Sequence, residues 1–450
     1  MLTTPPSSEG TVVTWANRLR DSALFRFAVS GLLVLILQIP IGLISHTVDE
    51  RRERRDEAIA EVTRTWGGSQ EVLGPLVTIP ITRRWLDEKK EAHEEITMLR
   101  VLPRELRVTG KAKIETRRRG IFDVPLYVAD LHLEGTFVLP ADSDHTKGSA
   151  EIVARWDRAQ VAIGLTDVGA IRNASALRLG GADQTLEPGP GAASFLDSGL
   201  HAVAVGAKPG ATLPFSVDLT FGGHGRLAFV PTGDETRVEL SSPWPHPSFD
   251  GAALPVDRRV DAAGFGARWS RLHLGRNFPS TWFDEQVTHA RLGAAAFGVT
   301  MLSPVDTYRA NDRAVKYQLL FISLTFLAFT LIELLSGLRV HSIQYLLVGF
   351  ALCLFFLLLL SLSEHVGFAR AYVTAAVATV ALIGGYVRVV LGDPRRGLAI
   401  GALLTTLYGF LFVLLRIEEY ALLVGSIGLF FVLALVMALT RRVNWYQPAR

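Results

Sequence analysis

The residue types that carry catalysis are present in this sequence, but not in catalytic patterns. Eleven histidines are scattered without ligand spacing, and the single cysteine, Cys353, lies inside an apolar run. One thiol allows no intramolecular disulfide, no cysteine metal cluster and no CxxC redox pair. HExxH, GxSxG, a Walker motif and a GxGxxG ahead of a helix are all missing. The sequence therefore predicts no catalytic residue, no metal ligand and no cofactor. The local anomaly is of another kind: ionisable side chains inside apolar runs, where a charge is costly and implies a partner or a pathway.

Glu333 lies five residues from the inner end of one such run, about 8 Å below an interface at 1.5 Å per residue. Arg388 lies near the inner end of another, so the two are candidates to pair across a bundle. Two readings follow: an ion or proton site, or a paired boundary contact, and the second is preferred. The segment SEHVGF puts Glu364 and His365 at the outer end of a third run. His365 is placed to titrate near neutral pH, although an interfacial cap is the preferred reading. Glu333 and Glu364 fall on opposite sides of a bilayer and cannot share one compact site. Outside the apolar runs, Trp244, Pro245, His246, Pro247, Ser248 and Phe249 form a rigid aromatic turn. It reads equally as a recognition surface or as a turn packed against a sheet.

Membrane helices must hold the first of these groups. Phe27 to Ser45 is free of charge for 19 residues, enough to cross a hydrocarbon core of about 30 Å. The segment that follows it, SHTVDERRERR, lacks the small residues of a cleavage site, so a retained anchor is expected. Pro40 would kink this helix without preventing insertion. Residues 46–69 read as a solvated helical stalk with Glu50/Arg54 and Arg52/Asp56 at i,i+4, ended by Gly67 and Gly68. Five further apolar stretches follow: Tyr317 to Leu338, Gln344 to Ser363, Ala371 to Val390, Gly397 to Leu415 and Ala421 to Leu439. Their connections are a few residues long, so neighbours run antiparallel. Gly397 and Gly401 form a GxxxG that allows close helix packing.

Between residues 70 and 316 the pattern changes to short alternating runs such as PLVTIPI, FSVDLTF and RLAFVPTGDETRVEL, broken by Gly, Pro and Asp. These are strands, and a sandwich or a pair of sheets is expected. The polar segment at 141–150 is the best internal break, which allows two lobes side by side. The expected fold is thus an α+β membrane protein with six transmembrane helices, one N-terminal and five C-terminal, and a large β-rich periplasmic domain after the first. In ranges, that is a cytoplasmic tail at 1–26, an anchor at 27–45, the stalk, the β-rich domain at 70–316, a five-helix bundle at 317–440 and a tail at 441–450.

Short loops decide the orientation. Arg339, Arg395 and Arg396, with Arg441, Arg442 and Arg450 of the tail, face Arg370 and Arg416 on the other side. That puts both termini in the cytoplasm, with Trp445 and Tyr446 as an interfacial anchor. The cations that flank the large domain, from Arg51 to Arg55 and from Arg309 to Lys316, oppose this count but belong to a long loop. The net charge of +3, from 46 basic and 43 acidic residues, leaves no polyanion-binding surface, so nucleic acid is excluded as a partner. The expected partners are the lipid bilayer and envelope proteins or glycans; the oligomeric state is open.

Several of these stretches also carry a resemblance. GPLVTIP, RRGIFDVPLY, SSPWPHPSFDG with the later GFGARW, YRANDRAVKY, HSIQYLLVGFALCLFFLLLLSLSEHVGF and VNWY occur in the order found in the CreD family of bacterial inner-membrane proteins. The chain resembles that family along its length, most loosely from about Ala141 to Lys208. The resemblance implies a cell-envelope integrity protein of Gram-negative bacteria, linked to two-component regulation, envelope stress and tolerance to toxins. It supplies no catalytic residue. A non-enzymatic envelope protein is therefore expected, with a transporter or channel that uses Glu333, Arg388, Glu364 and His365 as the alternative, and a membrane enzyme third.

Overall fold

The computed structural model describes residues 23–86, 92–141, 151–283, 286–301, 307–336, 341–391, 394–417 and 420–441. Of the expected tails at 1–26 and 441–450, residues 1–22 and 442–450, with Trp445 and Tyr446, lie outside the described residues, as do Arg339 and the 142–150 segment, while residues 23–26 are helical. The fold is α+β. Its contacts divide the chain into two compact units, Met1–Arg54 with Val305–Arg450, and Arg55–Pro304.

The first unit is helical. Helix α1 (Ala23–Trp66) runs unbroken through Pro40 and supplies this unit with its first turns. Gly67, at φ +116°, ends it, and its N–H bonds back to Thr63 O at 2.9 Å; an L side chain is strained at that angle. The short α2 (His289–Gly293) belongs to the second unit. Then come α3 (Thr307–Lys316), α4 (Gln318–Ser336), α5 (Ser342–Val366), α6 (Phe368–Leu391), α7 (Pro394–Arg416) and α8 (Ala421–Thr440). Among the described residues, α1, α5, α6, α7 and α8 are long and apolar enough to cross a membrane. Helices α3 and α4, bent by 43°, make a sixth if the pair is one span.

The GxxxG expectation holds where α6 and α7 pack. A Cβ on Gly397 would lie 2.7 Å from Arg388 Cβ and 3.1 Å from Gly384 O, so the backbones meet there. Helix α5 opens on a capping box in which His341 Nδ1 accepts from Ile343 N and Gln344 Oε1 accepts from His341 N.

The second unit is a two-sheet sandwich. A ten-stranded sheet is built around the long strand Gln70–Leu86, and a nine-stranded sheet around Glu105–Arg119 and Phe122–Val138. One core is shared by both, with Val77, Ile79 and Phe297 from the first meeting Val108, Leu133, Val217 and Trp269 from the second. The reason is period-two alternation: in Glu105–Arg119, Leu106, Val108 and Ala112 turn inward while Arg107, Thr109, Lys111 and Lys113 stay exposed. Two expectations change. Strands from before residue 141 pair with strands from after 151 in both sheets, so that segment does not divide two lobes. And 307–316 is helix α3 of the helical unit rather than the end of the β domain.

Candidate functional site

In the helical unit the anomalous carboxylates sit at two polar contacts, one toward each end of the bundle. At the first, Glu333 is buried on α4. Its Oε1 lies 3.2 Å from the Arg26 guanidinium and its Oε2 accepts from Tyr345 Oη at 2.7 Å. Ser30 and Thr330, whose hydroxyls are 2.9 Å apart, continue the same contact between α1 and α4. The cation beside Glu333 is thus Arg26, not Arg388, which lies exposed on α6. A cavity of about 30 Å³ adjoins the carboxylate, lined by Tyr386, Gln344, Val348 and Ile400 among others.

At the second contact, Tyr308 Oη donates to Glu364 Oε1 at 2.8 Å, and Arg51 reaches Glu364 Oε2 at 3.8 Å. Asn311 Nδ2 donates to Ser363 Oγ at 2.8 Å. Two stretches quoted above, YRANDRAVKY and the SEHVGF end, therefore meet through side-chain hydrogen bonds. His365 is exposed and turned back on its own helix, Nδ1 3.2 Å from Ser361 O. Along α5, Tyr345 and Glu364 are 19 residues apart, about 28 Å at 1.5 Å per residue. The two contacts are separate sites, as expected.

Sequence reading missed the partners Arg26, Arg51, Tyr308 and Tyr345. A signal for two of them exists. Arg26, Ser30, Leu33, Leu37, Ile41, Ile44, Val48 and Arg51 follow one another at steps of three or four residues, and the six between the arginines are the buried positions of that stretch of α1. Leu32, Leu35, Ile39 and Leu43, on the other side, are exposed. The seam spans about 37 Å from arginine to arginine, longer than a hydrocarbon core of about 30 Å.

In the β unit, the WPHPSF segment is part of the sandwich. Pro247–Gly251 is the strand at one end of the ten-stranded sheet, paired with Phe297–Met301. Phe249 packs edge-on to Phe265 and Trp269, each at 5.7 Å between centroids, and Trp244 Nε1 donates to His246 O at 3.1 Å. The packed-turn reading fits; His246 alone is freely exposed. Arg276 is a second buried anchor, its side chain 1% exposed, donating to Pro231 O, Thr232 O, Gly233 O and Ser280 Oγ. Burial lowers its pKa to about 10, against the pull of Asp234.

The outer face of the nine-stranded sheet forms a trough of about 570 Å³ lined by Thr109, Lys111, His132, Asp218, Glu239 and Arg268 among others. A second, of about 440 Å³, shares Lys111, Ser241, Arg259 and Gly266 with it. Ion pairs cross the face, Lys113–Asp130 at 2.8 Å and Arg268–Glu239 at 2.9 Å, with a hydrogen bond between His132 Nδ1 and Asp218 Oδ1 at 2.7 Å. The Lys113 hydrogen bond holds the Asp130 carboxyl below its ordinary range. Among the described residues no cluster of His, Cys, Asp or Glu is arranged to hold a metal ion.

Apolar helices of membrane length joined to a large sheet-rich unit define a membrane protein with an extramembrane domain. The family described as Inner membrane protein CreD matches residues 22–446. Inner membrane protein CreD of Escherichia coli (strain K12) is 33% identical over 420 residues, covering 92% of this chain and 91% of the relative. The chain belongs to the CreD family. Among solved structures, a mutant M1 zinc metallopeptidase from Deinococcus radiodurans aligns at 10% identity and TM-score 0.21, over 49% of this chain and 53% of that one. A putative protease from Parabacteroides distasonis ATCC 8503 aligns at 11% identity and TM-score 0.21, over 58% of each chain. The chain spans about half the length of those proteins, and likeness at that level carries no argument about fold or activity.

Proposed function

We propose that this chain is a non-enzymatic inner-membrane protein that supports envelope integrity and tolerance to envelope stress or toxins through contacts made by its β unit. In this reading α1, the bent pair α3–α4 and α5 to α8 are six spans, both termini are cytoplasmic and the sandwich is periplasmic. The observation that carries it is that Glu333 and Glu364 are each held by an arginine and a tyrosine. Charges engaged in that way hold helices together and do not need a transported ion to satisfy them. The broad polar surface lies instead on the sandwich.

Transport is the second reading, and the cavity beside Glu333 and Tyr386 is what favours it, since about 30 Å³ admits a water molecule. The two readings separate on Glu333→Gln, scored for survival under envelope stress and for protein abundance together. The structural reading predicts survival that follows abundance, with both restored in Arg26→Met/Glu333→Leu. Lost survival at unchanged abundance, not restored in the double variant, would favour transport.

A further inference from the structure

Where the two troughs on the nine-stranded sheet meet, Ser241 and Gly266 leave a gap. A Cβ added to Gly266 would find nothing within 4 Å. Lys111, Ser241, Gly266 and Arg259 are successive register partners across four strands, so one cation stands on each side of that gap. Among the ionisable residues that line the two troughs, Asp130, Glu239, Arg268, Lys113, Arg259 and Asp261 are ion-paired, and His132 and Asp218 are hydrogen-bonded to each other. Lys111 and Asp257 are the two without such a pair among the described residues.

Asp257 pairs with Arg268 in the register, one row along from Gly266. Three strand spacings of about 4.8 Å and two residues of about 3.3 Å along the strand separate it from Lys111, or about 16 Å between Cα atoms. A fully extended chain covers that distance in about four or five residues. Apart from the His132 imidazole, which is hydrogen-bonded to Asp218, the troughs present no exposed aromatic ring on which a sugar or base would stack, because Phe265 is turned into the core. Their charge is nearly balanced, with the four cations Lys111, Lys113, Arg259 and Arg268 against five carboxylates, which disfavours a polyanion. Thr109 and Ser241 offer hydroxyls on the floor, which can donate to and accept from peptide groups.

We propose that this face binds a short extended peptide as a zwitterion lying across the gap, its carboxylate at Lys111 and its ammonium at Asp257. The proposal rests on reading the β unit as the interacting part of the molecule and adds the chemistry of the partner.

The test uses the full chain in lipid nanodiscs, titrated calorimetrically with the pentapeptide Ala-Ser-Ala-Ser-Ala carrying free termini, and with the same peptide acetylated and amidated. Capping is expected to weaken binding about tenfold or more. Lys111→Glu and Asp257→Lys should each do the same to the free peptide, and the two together should restore binding with the peptide reversed. No measurable heat at millimolar peptide, equal binding of free and capped forms, or indifference to both charge reversals would overturn the proposal. Crosslinked partners captured elsewhere on the β unit would then leave the envelope reading standing. Failure of every face of that unit to capture anything would instead remove the reading on which the proposal rests.

Discussion

Glu333 shows how a carboxylate is accommodated within an apolar helical unit: one oxygen faces a guanidinium and the other accepts from a phenol. Removing one partner leaves the other buried and unpaired, which costs about 3–5 kcal/mol, whereas exchanging both for apolar residues is often close to neutral. Glu333→Leu is therefore expected to lower the melting temperature of the purified chain in detergent, and Arg26→Met/Glu333→Leu to recover most of the loss. Glu71, on the first long strand, gives a pH-dependent case. Burial raises its pKa, opposed by His289 and Arg226. A carboxyl raised in the folded state contributes stability that is full below its unfolded pKa and is lost as pH rises through the folded value. Relative to the parent, Glu71→Gln should thus melt higher at pH 8, with the advantage gone by pH 4. A variant less stable at both pH values would contradict this. The carboxylates were legible in the sequence because they interrupt apolar runs. Arg26 was not, because it borders the charge-free stretch and so read as tail, and Arg51 was hidden in a charge-dense stalk.

At the scale of elements, α1 is held by a seam and not only by lipid. Leu37, fully buried, sits where a Cβ on Gly349 of α5 would run into its Cδ1 and come within 3.0 Å of Phe326 Cζ. Both neighbours are enclosed, so Gly349→Leu has no room and should destabilise the unit by at least about 1–3 kcal/mol, the range for overpacking; thermal melting of the detergent-purified variant checks this. The seam also predicts a crosslink. With Cys353 replaced by Ala, Ser30→Cys/Thr330→Cys should form a disulfide on mild oxidation, detected as linked fragments after proteolysis between the two sites. Persistence of free thiols under conditions that oxidise a control pair would contradict the α1–α4 contact. The apolar spans were legible from length and composition alone. Helix α3 was not, because ten residues are too few to form a helix alone, and the face made by Tyr308, Ala310, Asn311, Ala314 and Val315, although at helical spacing, gains its meaning only once α5 covers it.

For the whole molecule, the strands of the sandwich were legible one by one and their order was not. Phe122–Val138 lies between Glu105–Arg119 and Thr212–Gly223, the latter more than seventy residues later in the chain. Local alternation marks which face of a strand is buried, but says nothing about which distant strand lies beside it. The outer face, with its rows of paired charges, is a product of that long-range register and was invisible to sequence reading, which looked to Trp244 to Phe249 instead. Of those residues, Trp244 and Phe249 pack partly buried against the core. The proposed function has the sandwich make the functional contacts while the bundle's charges serve packing. It is tested most directly by in-cell photo-crosslinking, with photo-reactive residues at Thr109 and Ser241 on the outer sheet face and at His246 as the remaining exposed position of the aromatic turn. Discrete peptide-containing adducts at Thr109 and Ser241 in a well-expressed, correctly inserted chain are the predicted result. A clean absence of adducts at all three, together with loss of stress tolerance in Glu333→Gln at unchanged abundance, would contradict the account.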